Sequence, residues 1–74
     1  MSIKVRLFAT LRNGRGKELI VDVETNRTPD EVINGLDIPK EDVAILLVNG
    51  RDGTLDQLLQ DGDTVSIFPP VGGG

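Results

Sequence analysis

Three segments of this chain alternate apolar with polar residues, and that period of two restricts the fold more than any other feature. Ile3, Val5, Leu7 and Ala9 alternate with Lys4, Arg6 and Phe8, and Leu19, Val21 and Val23 alternate with Glu18, Ile20 and Asp22. Thr64-Val65-Ser66-Ile67-Phe68 alternates again. Successive side chains of a strand point to opposite faces, so each run supplies one apolar face to a core. The first two runs flank Thr10 to Gly16, whose Asn13-Gly14 and Gly16 supply turn chemistry, and together they read as an antiparallel hairpin. Asn13-Gly14-Arg15-Gly16 does not read as a phosphate loop, because it lacks the Lys-Ser/Thr pair and leads into a strand.

A single helix start stands out. Thr28 can cap, Pro29 suits the first helical position, and Glu31 completes a capping box. Val32, Ile33 and Leu36 fall on one face, and Asn34-Gly35 offers a stop. Ile38-Pro39 starts another turn. Val43 to Val48 is nearly all apolar and fits a central strand covered at least in part on both faces. Asn49-Gly50 turns the chain, and Arg51 to Leu55 leaves room for a short edge strand. Leu55, Leu58 and Leu59 share an i, i+3, i+4 spacing that predicts one helical turn over the core. One helix across one mixed sheet of four to five strands buries these faces economically. The expected fold is therefore α+β of the β-grasp type: a domain over residues 1–68, with its last strand beside its first, followed by a tail over 69–74.

Composition removes most chemistry. The 74 residues include no Cys and no His, which takes away the usual nucleophile, general base and transition-metal ligands. No metal site is expected, and a core this small has little room to desolvate a carboxylate for acid–base work. A net charge of −4 and 3% aromatic content argue against nucleic-acid binding. The run Ala44 to Val48 is far short of the ~20 apolar residues of a membrane span. Met1-Ser2-Ile3-Lys4 shows no apolar signal region, and a cytoplasmic monomer is expected. Arg12, Arg15 and Lys17 form a small basic cluster in the hairpin, read as a solvated loop or part of a partner contact.

Two features remain for function. If Ile3, Val5 and Leu7 face the helix, Phe8 faces away; if Val65 and Ile67 face it, so does Phe68. With the first and last strands adjacent, the two phenylalanines share the solvent face with Arg6 and Lys4, as a partner-binding patch. Ile20, and one of Leu46 or Leu47, are candidates to extend it. The second feature is the tail Pro69-Pro70-Val71-Gly72-Gly73-Gly74. Its prolines stiffen the base. Fully extended, it reaches roughly 20 Å at ~3.3–3.6 Å per residue. Its three glycines make a thin, flexible tip that ends on a main-chain carboxylate.

These residues resemble the MoaD/ThiS ubiquitin-like sulfur carriers. The resemblance is carried by Ile3-Lys4-Val5-Arg6-Leu7-Phe8-Ala9-Thr10-Leu11-Arg12, by Leu47-Val48-Asn49-Gly50-Arg51, and by Asp61-Gly62-Asp63-Thr64-Val65-Ser66-Ile67-Phe68-Pro69-Pro70-Val71 with the glycine end. It implies a β-grasp fold and a carrier that is not catalytic alone. It also implies that an E1-like, ATP-dependent adenylating enzyme activates the Gly74 carboxylate. Sulfur then replaces one oxygen, and a synthase consumes the thiocarboxylate. No cofactor is bound by the carrier; ATP belongs to the partner. Gly72, Gly73, Pro69, Pro70 and Val71 are the implied insertion segment. The Arg6–Arg12 stretch and the Phe-Pro-Pro end resemble the molybdopterin branch more than the thiamin branch, which implies a molybdopterin synthase large subunit as partner. A third glycine and a short first helix depart from the family pattern. A ubiquitin-like modifier joined through Gly74 to lysines, a carrier for thiamin or another sulfur-containing product, and a plain binding module with an inert tail are the competing readings.

Overall fold

The computed structural model describes residues 1–70. Five strands form one mixed sheet: β1 (Ser2–Leu7), β2 (Glu18–Asp22), β3 (Ile45–Val48), β4 (Arg51–Asp52) and β5 (Thr64–Phe68), in the order β2-β1-β5-β3-β4. β1 and β5 run parallel at the centre, and the other neighbouring pairs are antiparallel. The helix α1 (Pro29–Gly35) lies over one face of the sheet, where Val32 and Ile33 join Ile3, Val5, Leu7, Val65 and Ile67 in the core.

Alternation decides which side chains enter. Ile3, Val5 and Leu7 are buried while Ser2, Lys4 and Arg6 are exposed. The run does not extend to Ala9, as the alternation suggested. Ala9 adopts a positive φ of 52° and opens a 3-10 turn over Ala9–Arg12, so the chain reverses after Phe8. Leu11, 3% exposed, takes the place in the core that Ala9 was expected to fill.

The helix begins as predicted. The Thr28 side chain accepts from the Glu31 N–H at 3.3 Å, and Pro29 occupies the first turn. The box closes only in part: one Glu31 carboxylate oxygen accepts from the Thr28 hydroxyl at 3.3 Å, and the other pairs with Arg27. That hydrogen bond to Arg27 is the main cause holding the Glu31 carboxyl below its ordinary range. Replacing Thr28 with alanine should therefore lower stability by about 1 kcal/mol, read as a shift in the urea midpoint at constant m-value. The helix end differs from expectation. Gly35 is its last residue rather than its stop, and the left-handed residue is Asp37 (φ 58°). Arg15, from the hairpin loop, donates to the Leu36 and Asp37 carbonyls at 3.4 and 3.2 Å. A cation at that end favours the negative pole of the helix.

Two apolar segments depart from their expected form. The central strand is shorter than Val43–Val48 and is covered on one face only: Leu46 and Val48 turn inward, whereas Ile45 is 50% exposed. Leu55 to Leu59 form no helical turn. The two ends of this segment are bonded across to the chain that enters α1: the Leu59 N–H donates to the Arg27 carbonyl at 2.8 Å, and the Leu55 carbonyl accepts from the Asp30 N–H at 3.1 Å. The second bond satisfies a first-turn donor that has no partner inside the helix. Only Leu59 reaches the core; Leu58 is 63% exposed.

Candidate functional site

The parallel pairing of β1 with β5 builds the site. Its register sets Leu7 against Ile67 on the core side, so the next residue of each chain turns to the outer face. Those residues are Phe8 and Phe68. Their rings stack with centroids 4.0 Å apart and planes 6° from parallel. Both rings are half-buried, supported by each other and open to solvent on the sheet's outer face. Arg6, on the same face of β1, places its guanidinium 5.6 Å from the Phe8 ring centroid. The three partner-binding residues expected from the sequence are thus brought together.

Two neighbours of the pair were not expected. Arg12 lies 5.4 Å from the Phe8 centroid, and its Nε donates to the Leu7 carbonyl at 2.8 Å. That anchor turns one member of the basic loop cluster into a wall of the patch. Ile45 is the cross-strand partner of Phe68, and Leu47 that of Ser66, so both continue the apolar surface onto β3. Leu47, not Leu46, is the leucine on this face. Ile20 does not extend the patch. It lies opposite Lys4 on β2, about 13 Å along the strand from Phe8 at ~3.3 Å per residue. The surface is therefore aromatic and aliphatic at its centre, with two guanidiniums at one side, on a protein of net charge −4.

The exit of the chain is fixed at the same place. The Phe68 carbonyl accepts from the Ala44 N–H at 2.8 Å, the last bond that joins β5 to the β3 side. Pro69 has no N–H to continue the ladder, so pairing stops there. Pro69 is half-buried and Pro70 exposed. Val71, Gly72, Gly73 and Gly74 lie outside the described residues. Elsewhere the carboxylates offer little for catalysis. In the shallow depression lined by Asp22, Val23, Glu24, Arg27 and Glu31, both glutamates are paired with Arg27. The Glu31 carboxyl is held low there, the reverse of what a general acid requires. Among the described residues no group of His, Cys, Asp or Glu is arranged to hold a metal ion, and no helix is long and apolar enough to cross a membrane.

The model of the ThiS family matches residues 5–74. The chain belongs to the ThiS family. Like other members, it is a small ubiquitin-like protein of a carrier and modifier family, not one of catalysts. It is 34% identical to small archaeal modifier protein 3 of Haloferax volcanii over an alignment of 92 residues that covers all of both chains. The crystal structure of SAMP1 from the same organism superimposes with a TM-score of 0.84 at 27% identity, again over the whole of both chains. A Pyrococcus furiosus protein named as molybdopterin converting factor, subunit 1, gives a TM-score of 0.79 at 29% identity, over 96% of this chain and 99% of that one. The β-grasp architecture expected from the strand order is the fold of this ThiS-family chain.

Proposed function

We propose that the protein is a sulfur carrier that works in the cytoplasm through its terminal Gly74. A partner adenylating enzyme joins the Gly74 carboxylate to AMP, with release of pyrophosphate from ATP. A sulfide-equivalent nucleophile then forms a C–S bond as the bond to AMP breaks, leaving a thiocarboxylate for a sulfur-accepting synthase. Adenylation is needed because a carboxylate alone is a poor electrophile. The observation that carries this reading is the stacked Phe8–Phe68 pair at the point where Pro69 leaves the sheet. An enzyme that grips the patch would have the tail directed at its own centre, with Pro69, Pro70 and Val71 as the spacer and Gly72 and Gly73 as the slim approach. ATP is bound by the partner and not by this chain, which acts as a monomer between encounters.

The molybdopterin pathway is the first candidate destination, supported by the likeness to molybdopterin converting factor, subunit 1. In that case the large subunit of a molybdopterin synthase is the consuming partner. A second reading, attachment to lysines of other proteins through Gly74, is supported by the 34% identity to a small archaeal modifier protein. Both uses begin with the same activated carboxylate. Deleting Gly73 and Gly74 should leave the folded domain unchanged by circular dichroism and abolish both thiocarboxylate formation and isopeptide-linked adducts in a lysate. Unchanged function after the deletion would show an inert tail and remove the proposal. Among intact chains, adducts without sulfur transfer would favour the modifier.

A further inference from the structure

β2 is an outer strand of the sheet, five residues long, with one edge unpaired among the described residues, whereas the strand at the opposite edge, β4, has only two residues. The hydrogen bonds that flank it tell which backbone groups that edge presents. Met1 N donates to the Val23 carbonyl at 2.6 Å, Val23 N to the Met1 carbonyl at 2.9 Å, and Leu7 N to the Lys17 carbonyl at 2.9 Å. Opposed residues of an antiparallel pair alternate between exchanging both bonds and exchanging none. Ile3–Val21 and Val5–Leu19 are then the bonded pairs, and Ser2–Asp22, Lys4–Ile20 and Arg6–Glu18 are not. The other edge of β1 agrees, because Lys4 N points to the β5 side and donates to the Asp63 carbonyl at 3.0 Å. The N–H and C=O groups of Glu18, Ile20 and Asp22 therefore face the open edge.

This edge lacks the usual guards. It has no proline, no bulge and no lysine within the strand. Its outer-face side chains are Glu18, Ile20 and Asp22, with Ile20 66% exposed between the two carboxylates. Glu18 shares its charge with Lys4 of β1 at 3.5 Å in an exposed and therefore weak ion pair, while Asp22 has no such partner among the described residues. On the other face Leu19 and Val21 are half-buried at the margin of the core. The end near Asp22 is also acidic: Glu24 and Glu31 share a single cation, Arg27.

We infer that the free edge of β2 takes up an extended segment of a partner protein as a sixth strand, one in which two basic residues flank an apolar residue at alternate positions. Main-chain bonds to Glu18, Ile20 and Asp22 hold the segment, and its basic side chains meet the two carboxylates. Its apolar residue lies beside Ile20, and the residues between face Leu19 and Val21, so they are apolar as well. A second copy of this chain does not fit. Antiparallel pairing centred on Ile20 would set Glu18 of each copy against Asp22 of the other, and like charges directly opposite are unfavourable. The inference does not rest on the tail chemistry: the groups it uses are main-chain N–H and C=O groups of β2, and of their residues only Glu18, opposite Arg6, borders the Phe8–Phe68 face.

The test uses the full chain and two blocked peptides, one with a Lys-Val-Ile-Val-Lys core and one with glutamate at both lysine positions. The lysine peptide should slow hydrogen exchange at the Glu18, Ile20 and Asp22 amides, while Leu19 and Val21, already bonded to β1, change little. Ile20→Pro removes one edge donor without removing a bond to β1 and should weaken binding by about threefold to tenfold. Asp22→Lys, an exposed change that keeps the fold, should weaken the lysine peptide by about threefold and strengthen the glutamate peptide. Exchange protection confined to the Phe8–Phe68 face would overturn the inference. Equal binding of both peptides to native and Asp22→Lys protein would do the same. A dimer of the free chain in light scattering that Ile20→Pro abolishes would show a second copy as the occupant.

Discussion

Replacing Ile67 with alanine should remove much of the stability of this domain. The side chain is 0% exposed and sits in β5, between Leu7 on one neighbouring strand and Leu46 on the other. Truncation of a buried isoleucine leaves a cavity and costs about 2–5 kcal/mol. A domain of this length has roughly 4–11 kcal/mol to lose, at 0.05–0.15 kcal/mol per residue. No disulfide can compensate, because the chain has no cysteine. Thermal unfolding should move down by at least about 10 °C, and Ile67→Val should cost only about 0.5–1.5 kcal/mol. A shift of a few degrees for the alanine variant would mean that the centre of the sheet is not where the core resides.

The next residue should behave in the opposite way. Phe68→Ala removes a half-buried ring from the outer face and loses the stack on Phe8, a pair contribution of about 0.5–1.5 kcal/mol beyond area. The protein should remain folded. Binding to the proposed adenylating enzyme should fall by about 30-fold or more, the scale of an aromatic hot spot of 2 kcal/mol. Calorimetric titration of the enzyme with the folded variant measures this directly. Affinity within a factor of two of the native chain would place the docking surface elsewhere. Two consecutive residues of one strand thus separate folding from recognition, because the sheet gives them opposite faces.

That separation was legible in the sequence. Wherever one face of a strand is buried and the other wet, as in Ile3 to Leu7 or Thr64 to Phe68, the alternation states the parity. Strand adjacency then brings Phe8 to Phe68. The helix start was legible for a similarly local reason, since Thr28, Pro29 and Glu31 act within one turn. Parity was not legible in Val43 to Val48, where inward and outward residues are both apolar. Only the pairing of Ile45 with Phe68 shows that Ile45 belongs to the patch. Leu55, Leu58 and Leu59 carried a helical spacing, yet backbone bonds tie Leu55 to Asp30 and Leu59 to Arg27, far away in sequence. No periodicity records such partners. Arg12 and Arg15 escaped for the same reason: one caps the Phe8 ring and the other the end of α1, contacts set by the path of a loop after a left-handed Ala9.

These particulars converge on one claim, that the molecule is a folded handle for a reactive carboxylate. The handle is the Phe8–Phe68 face with Arg6 and Arg12. Among the described residues the carboxylates elsewhere are taken up by caps, ion pairs, solvent or the proposed β2 edge contact, and none is arranged as a competing catalytic centre. The most direct measurement is the intact mass of the full chain after incubation with an adenylating enzyme, ATP and a sulfide donor. The predicted result is a mass gain equal to sulfur replacing one oxygen, dependent on ATP and confined to the C-terminal fragment that contains Gly74. No gain, or a gain on any other fragment, would contradict the account.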